Sequence, residues 1–302
     1  MESHKRNRWL RLLAALAALT MLVAACGEDE EPAAPPTSET DDAGDAAEFT
    51  TVEEGVLTVG SDIPYPPFEF EEADGTLSGF DVELVREIAD RLGLRNEDTD
   101  WVSTDFGTIF QQLASGTRFD IVVAAVTAYA PEGSPAAETV ADRRKAVDFT
   151  DPYYPSLQSL TVDVTASPDI KAVADLPEGA KVAVQRATTG AFYAEENLGT
   201  AGVEIVSFEK APSMYQALLA GQVVGVFNDL PVSLDAIKDN PDLQVVEQVE
   251  TGEEYAIAVS KENPELTTAI NEALAGMFTD GTYAEIFLEY FPDQKLPEYA
   301  SE

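Results

Sequence analysis

Residues 61–92 read SDIPYPPFEFEEADGTLSGFDVELVREIADRL, and the fold is legible from them outward. The run Val56-Leu57-Thr58-Val59-Gly60 just before them is short and β-branched, the pattern of a buried strand. Pro64, Pro66 and Pro67 stop that strand, because proline fixes φ and has no N–H to donate. The stiffened loop holds Asp62 and Tyr65 at the strand's C-terminal end, where open α/β sheets bind ligands. Asp74-Gly75 predicts a tight turn between Phe68-Glu69-Phe70 and Leu77-Ser78-Gly79-Phe80. Val85, Ile88, Ala89 and Leu92 then recur at helical spacing, with Asp81 the expected N-cap and Gly93 the stop.

Downstream, Trp101-Val102 predicts a strand. Phe106, Ile109, Phe110 and Leu113 predict a helix buried on one face and closed by Gly116. Residues 119–126, FDIVVAAV, are apolar enough for a central strand covered on both faces. Strand, helix and strand at this spacing predict right-handed crossovers and a parallel sheet. Residues 130–139 are rich in Pro, Gly and Ala and predict a loop. Strands are expected over 157–164, 180–184, 222–227 and 254–259, and helices over 169–177 and 213–220. Asn263-Pro264-Glu265 opens another helix, and Tyr283, Ile286, Phe287 and Tyr290 mark the last. No internal repeat is evident.

The chain carries 18 Lys and Arg against 56 Asp and Glu, a net charge of −38. Such a surface repels nucleic acid and anionic membrane. The sole histidine is His4 and the sole cysteine is Cys26. An intramolecular disulfide is therefore impossible, and no histidine past residue 4 serves as metal ligand or catalytic base. No metal-ligand spacing, cofactor motif or distinctive carboxylate pair stands out, so no metal, cofactor or catalysis is expected. Lys5, Arg6, Arg8 and Arg11 precede an apolar run over 12–25, shorter than a membrane span and typical of a signal peptide over 1–25. Leu22-Val23-Ala24-Ala25-Cys26 resembles a bacterial lipobox, which implies a lipid on Cys26. Residues 27–53 are acidic, with Ala, Pro and Thr and few large apolar side chains. With Cys26 they predict a lipidated, disordered tether over 26–53.

Gly79-Phe80-Asp81-Val82-Glu83-Leu84, followed by Ile88-Ala89 and Leu92, resembles the signature of the polar amino-acid-binding family of bacterial solute-binding proteins. These are the extracytoplasmic receptors of ABC importers. Residues 142–154, DRRKAVDFTDPYY, resemble the family's Arg to Asp-Phe-Ser-Pro-Tyr-Tyr segment, with Thr150 for Ser and about ten extra residues between Thr127 and Arg143. Ala187 stands where the family usually has Gly. The resemblance implies a type II periplasmic-binding-protein-like α/β fold. Its two lobes meet at a cleft and are joined by two crossover hinges. Lobe one would take 54–152 and 257–302, and lobe two 158–253.

The family's contacts carry over residue by residue. They imply that Arg143 meets a ligand carboxylate, with Arg144 as the alternative. The Ala125 and Thr188 backbone N–H groups and the Thr127 hydroxyl add donors. Asp229 takes the ammonium, and Tyr65 and Phe106 wall the side chain. Asp62, Gln185 and Asn228 meet its far end, and Arg186 is a solvated neighbour. The chemistry fits, because a buried zwitterion needs each charge paired. Asp62 favours a basic or amide side chain over an acidic one. The expected function is a monomeric, lipid-anchored receptor outside the cytoplasmic membrane, delivering a polar amino acid to the permease of an ABC importer. The alternatives are an enzyme of the same fold, resembling a cyclohexadienyl-acid dehydratase, and a ligand-sensing module.

Overall fold

Gly79 decides how the chain enters its first long helix. Its φ is 133°, and a Cβ there would lie 2.1 Å from the Phe68 carbonyl oxygen, so only glycine fits. In this computed structural model, which describes residues 49–301, Gly79 and not Asp81 is the N-cap of that helix. Asp81 lies inside the first turn and is fully buried.

The elements before and through the first sheet are β1 (Val59–Ser61), β2 (Phe70–Glu71), β3 (Leu77–Ser78), α1 (Phe80–Arg91), β4 (Trp101–Ser103), α2 (Ile109–Ala114) and β5 (Ile121–Val122). There follow β6 (Thr127–Tyr129), α3 (Pro135–Ala146), β7 (Val147–Phe149) and β8 (Tyr154–Asp163). Then come β9 (Lys181–Gln185), α4 (Thr189–Asn197), β10 (Glu204–Phe208), α5 (Ala211–Leu219), β11 (Gly225–Asp229) and α6 (Leu230–Ile237). The chain closes with β12 (Leu243–Tyr255), β13 (Ala258–Ser260), α7 (Pro264–Asp280) and α8 (Thr282–Tyr290).

Two main sheets form, of order β4-β1-β5-β13-β7 and β10-β9-β11-β8-β12-β6. β4, β1 and β5 are parallel, as are β10, β9 and β11. β13 runs against its neighbours, and β8 and β12 pair antiparallel, so neither sheet is purely parallel. Alternation sorts the first sheet's side chains: Ile121 and Val259 join the core with α1 and α7, while Val122 and Ala258 join the core with α2. Phe80 anchors the larger core. Its ring meets Tyr283, Phe287 and Phe291 edge-on at 5.9, 6.0 and 5.2 Å. Burying such a ring stabilises by about 1.5–3 kcal/mol.

The chain passes between sheets at Tyr153-Tyr154 and at Tyr255 to Ala258. The two passages are bonded to each other, since the Tyr153 N–H donates to the Tyr255 carbonyl at 2.8 Å. β6 adds a further link by pairing with Glu254 and Tyr255.

Further local expectations change, and the strand expected over 254–259 is one of them: β12 ends at Tyr255 and β13 begins at Ala258 in the other sheet. Residues 119–126 are not one strand: β5 ends at Val122 and Ala125 turns left-handed at φ 46°, which sends the chain to the other sheet. The expected loop over 130–139 is half helix, because Pro135 fits the first turn of α3 without a missing bond. The expected helix over 169–177 shrinks to a 3₁₀ turn at Val173–Asp175. β10 and most of β12 went unforeseen; their outward faces are partly exposed and polar, which hides the strand signal. The expected signal peptide, Cys26 and the tether up to residue 48 lie outside the described residues; the tether's last residues, 49–53, are not disordered, because Phe49 packs against the core and the Val52 N–H donates to Asp120 at 2.6 Å. No helix among the described residues is long and apolar enough to cross a membrane.

Candidate ligand cavity between the two sheets

A cavity opens where loops from both sheets meet. Asp62, Tyr65, Phe106, Ala125, Thr127, Arg143, Gln185, Thr188 and Asp229 all line it, as do Glu69, Ala124 and Thr189. Asn228 is buried behind this wall, accepting from the Tyr65 hydroxyl at 3.1 Å.

One pole is cationic. Arg143 sits in the last turn of α3, fully buried, with its guanidinium 5.3 Å from the Phe106 ring centroid and 5.1 Å from that of Phe110. It donates to the Thr127 carbonyl at 2.7 Å and the Ala187 carbonyl at 3.4 Å, both neutral acceptors. Burial lowers its pKa to about 10, so it stays charged at neutral pH. A desolvated cation held only by carbonyls is costly until an anion meets it. Thr188 caps α4 beside it, accepting from the Ala191 N–H at 3.1 Å, so the N-terminal turn of α4 faces the same pole. Arg144 points elsewhere: it stacks over Tyr129 at 4.6 Å and donates to the Ala128 carbonyl at 2.9 Å.

The other pole is anionic. Asp229 ends β11 and accepts from the Tyr65 hydroxyl at 2.7 Å, the Tyr255 hydroxyl at 2.6 Å and the Gln158 amide at 2.5 Å. All three donors are neutral. Burial first, and then the charge of Glu253, push its pKa up to about 6.

The remaining wall holds a polar cluster. The Gln185 amide donates to Asp62 at 2.5 Å and to the Glu209 carbonyl at 3.2 Å. Lys210, just before α5, reaches across from the second sheet to Asp62 and to the Ile63 carbonyl at 3.0 Å. Burial raises the Asp62 pKa, and Lys210 works against that rise. Arg186 is not merely solvated. It bridges Asp105 at 2.9 Å and Glu209 at 2.5 Å on the rim. Such exposed pairs contribute little stability.

Two expected donors are turned away from the cavity. The Ala125 N–H donates to Asp81 at 3.0 Å, because the left-handed turn at Ala125 aims it at α1. The Thr127 hydroxyl donates to Glu253 at 2.7 Å, and Thr189 donates to the same oxygen at 2.7 Å. Ala187 holds φ 64°, the conformation that glycine adopts freely. Glu69, Lys210 and Glu253 were not foreseen. The signal for Glu69 was available: an acid between Phe68 and Phe70 belongs to a buried strand edge and so needs a reason. Lys210 and Glu253 gave none, since they reach the lining residues Asp62, Thr127 and Thr189 only through tertiary approach. Among the described residues no cluster of three or more metal-ligating side chains forms.

Comparison with known proteins identifies the family. The model of the family described as bacterial extracellular solute-binding proteins, family 3, matches residues 57–293. The L-cystine-binding protein TcyJ of Escherichia coli (strain K12) is 31% identical over 241 residues, 79% of this chain and 84% of that one. A solved ancestral arginine-binding protein bound to arginine superposes with a TM-score of 0.69 at 36% identity, over 78% of this chain and 98% of that one. The ancestral amino acid-binding protein AncCDT-1, a precursor of cyclohexadienyl dehydratase, gives a TM-score of 0.66 at 33% identity, over 78% and 95%. With a family model spanning most of its length, this chain belongs to the bacterial extracellular solute-binding proteins, family 3.

Proposed function

We propose that this chain is the extracytoplasmic receptor of an ABC importer and that its cavity captures a polar amino acid. One observation carries the reading: two buried charges at the cavity, Arg143 and Asp229, hydrogen-bond only to neutral groups. A free amino acid supplies the carboxylate to the first and the ammonium to the second. Relatives named for cystine and arginine support the same class. On this reading 54–152 with 257–302 and 158–253 act as two lobes, closing on the ligand about the Tyr153 and Tyr255 passages. The side chain is basic or amide rather than acidic. The chain works as a monomer, anchored outside the membrane by a lipid on Cys26. Cys26→Ser should then release it from the membrane; continued lipid labelling of the variant would refute the anchor.

The experiment that tests the receptor reading is a thermal-shift screen of the purified protein against the common amino acids, ornithine, citrulline and cystine. A ligand at about a hundred times its Kd adds roughly 2.7 kcal/mol. That is a rise in Tm of about 5–10 °C for a domain of this size. A response confined to one chemical group names the ligand class, and no response to any amino acid overturns the reading. A cleft enzyme is the second reading. AncCDT-1 and the raised pKa of Asp229 favour it, since a buried acid near neutrality serves as general acid. Turnover of a cyclohexadienyl acid by the same protein would establish it.

A further inference from the structure

Glu69 lines the cavity, yet the amino-acid reading gives it no task. Its side chain is fully buried beside the Ser61 hydroxyl and the Asp81 carboxyl, with neither in good hydrogen-bonding geometry to it. The charges that act on it are Asp81 and Asp62, both acids. Asp81, equally buried, accepts from the Ala125 N–H and the Tyr153 hydroxyl through one oxygen, at 3.0 Å each, and its other oxygen is unpartnered. Two carboxyls in one dry site do not both ionise. Burial first, and then Asp81 and Asp62, hold Glu69 well above the usual carboxylate range. Burial raises Asp81 to about 7 against the donors it accepts from. Tyr65 and Tyr153, the other titratable groups facing the pair, are pushed further up and stay neutral. Lys210 is engaged beyond Asp62.

The unpartnered atoms at this end are the Ser61 hydroxyl, which can donate to Glu69, and a set of acceptors. Glu69 Oε1 and Oε2, Asp81 Oδ1 and Gln185 Oε1 are all acceptors. The Gln185 amide is oriented by its two acceptors, so its oxygen faces away from them. A buried acid pair with the Gln185 oxygen beside it calls for a ligand that brings N–H donors and positive charge.

We infer that Glu69 and Asp81 hold one shared proton in the empty site, and that a cationic amino-acid side chain, guanidinium or ammonium, displaces it. This rests on the amino-acid reading of the cavity. The carboxyl O–H bond breaks and its proton leaves to solvent. The pair goes from one negative charge to two as the ligand's positive charge arrives, so the buried net charge is unchanged. A neutral amide donates hydrogen bonds but cannot replace the proton's charge. Preference for a cationic over an amide ligand therefore narrows as the medium turns acidic.

Isothermal titration calorimetry tests this on the purified protein with arginine, lysine, ornithine and glutamine. Each titration is run in two buffers of different ionisation enthalpy. Every ligand presents the same ammonium to Asp229, so the difference between ligands isolates the Glu69 end. The preferred cationic ligand should release about one proton more than glutamine. Between pH 8 and 7 its affinity should fall by up to about tenfold relative to that of glutamine. Glu69→Gln should remove the extra proton and weaken the cationic ligand about tenfold or more relative to glutamine. If that variant does not fold, the wild-type proton count decides by itself. Equal proton release by cationic and amide ligands overturns the inference while leaving the receptor intact, and so does a cationic ligand that binds no better than glutamine at pH 8. Absence of heat with every amino acid removes both.

Discussion

Arg143→Ala should weaken the amino-acid ligand about a hundredfold or more while the protein stays folded. Truncating one member of a buried, hydrogen-bonded charge pair costs about 2–5 kcal/mol, much of it from the partner left unpaired. Here that partner is the ligand carboxylate, which would enter a desolvated cavity with only the N-terminal turn of α4 to meet it. The empty protein loses little. Its guanidinium bonds two carbonyls and rests on Phe106 and Phe110, so what disappears is a costly buried cation together with some aromatic contact. Calorimetry reads the affinity, and thermal unfolding without ligand checks the fold. Arg144→Ala is the matched control. That side chain covers Tyr129 and Phe149 and bonds the Ala128 carbonyl, and it does not line the cavity. Its loss should leave affinity within about threefold, as for a substitution outside the site. The reverse pattern, full binding in the Arg143 variant and loss in the Arg144 variant, would move the carboxylate pole to the neighbouring residue.

The resemblance of residues 142–154 to the family segment, not any local pattern, places Arg143 among the site residues. Gly79 admits only one backbone approach, Phe80 only a buried setting, and the Pro64 to Pro67 run only a stiff loop, so this stretch fixes its surroundings strongly. Residues 142–154 lie at a passage between sheets, which gives their order meaning. Where local pattern is weak, the reading slips. α3 looks like a loop because its alanines and exposed charges carry no apolar stripe. The run over 119–126 looks like one strand because a single left-handed alanine leaves no mark in hydropathy. The backbone and hydroxyl donors of Ala125 and Thr127 were misdirected for a related reason. Their partners, Asp81 and Glu253, are 44 and 126 residues away, and nothing local says that these acids are buried. The same distance hid the lysine that reaches Asp62. In this protein the charges of the site are legible where a motif names them, and the second acid or base that tunes each one is not.

That tuning makes Asp229 the source of the second large effect. Asp229→Asn keeps the shape and an acceptor for the Tyr65 and Tyr255 hydroxyls but removes the charge that answers the ligand ammonium. Amino acids should bind about a hundredfold more weakly, while carboxylate ligands that lack the ammonium should bind much as before. The pH dependence follows with a definite sign. In the empty site the Asp229 carboxyl titrates at about 6, and an ammonium in contact favours its ionised form. Binding below that value therefore expels a proton. Affinity should be flat above pH 7 and fall as the medium is acidified through 6, approaching about tenfold per pH unit. A neutral side chain such as that of glutamine is the right probe, because it leaves the Glu69 end out of the balance. In the asparagine variant the same ligand should bind weakly and evenly across pH 5–7. A wild-type affinity that stays level down to pH 5 would mean that the ammonium finds its counter-charge elsewhere. Glu253 is then the acid to replace, since its charge already acts on both Asp229 and Arg143.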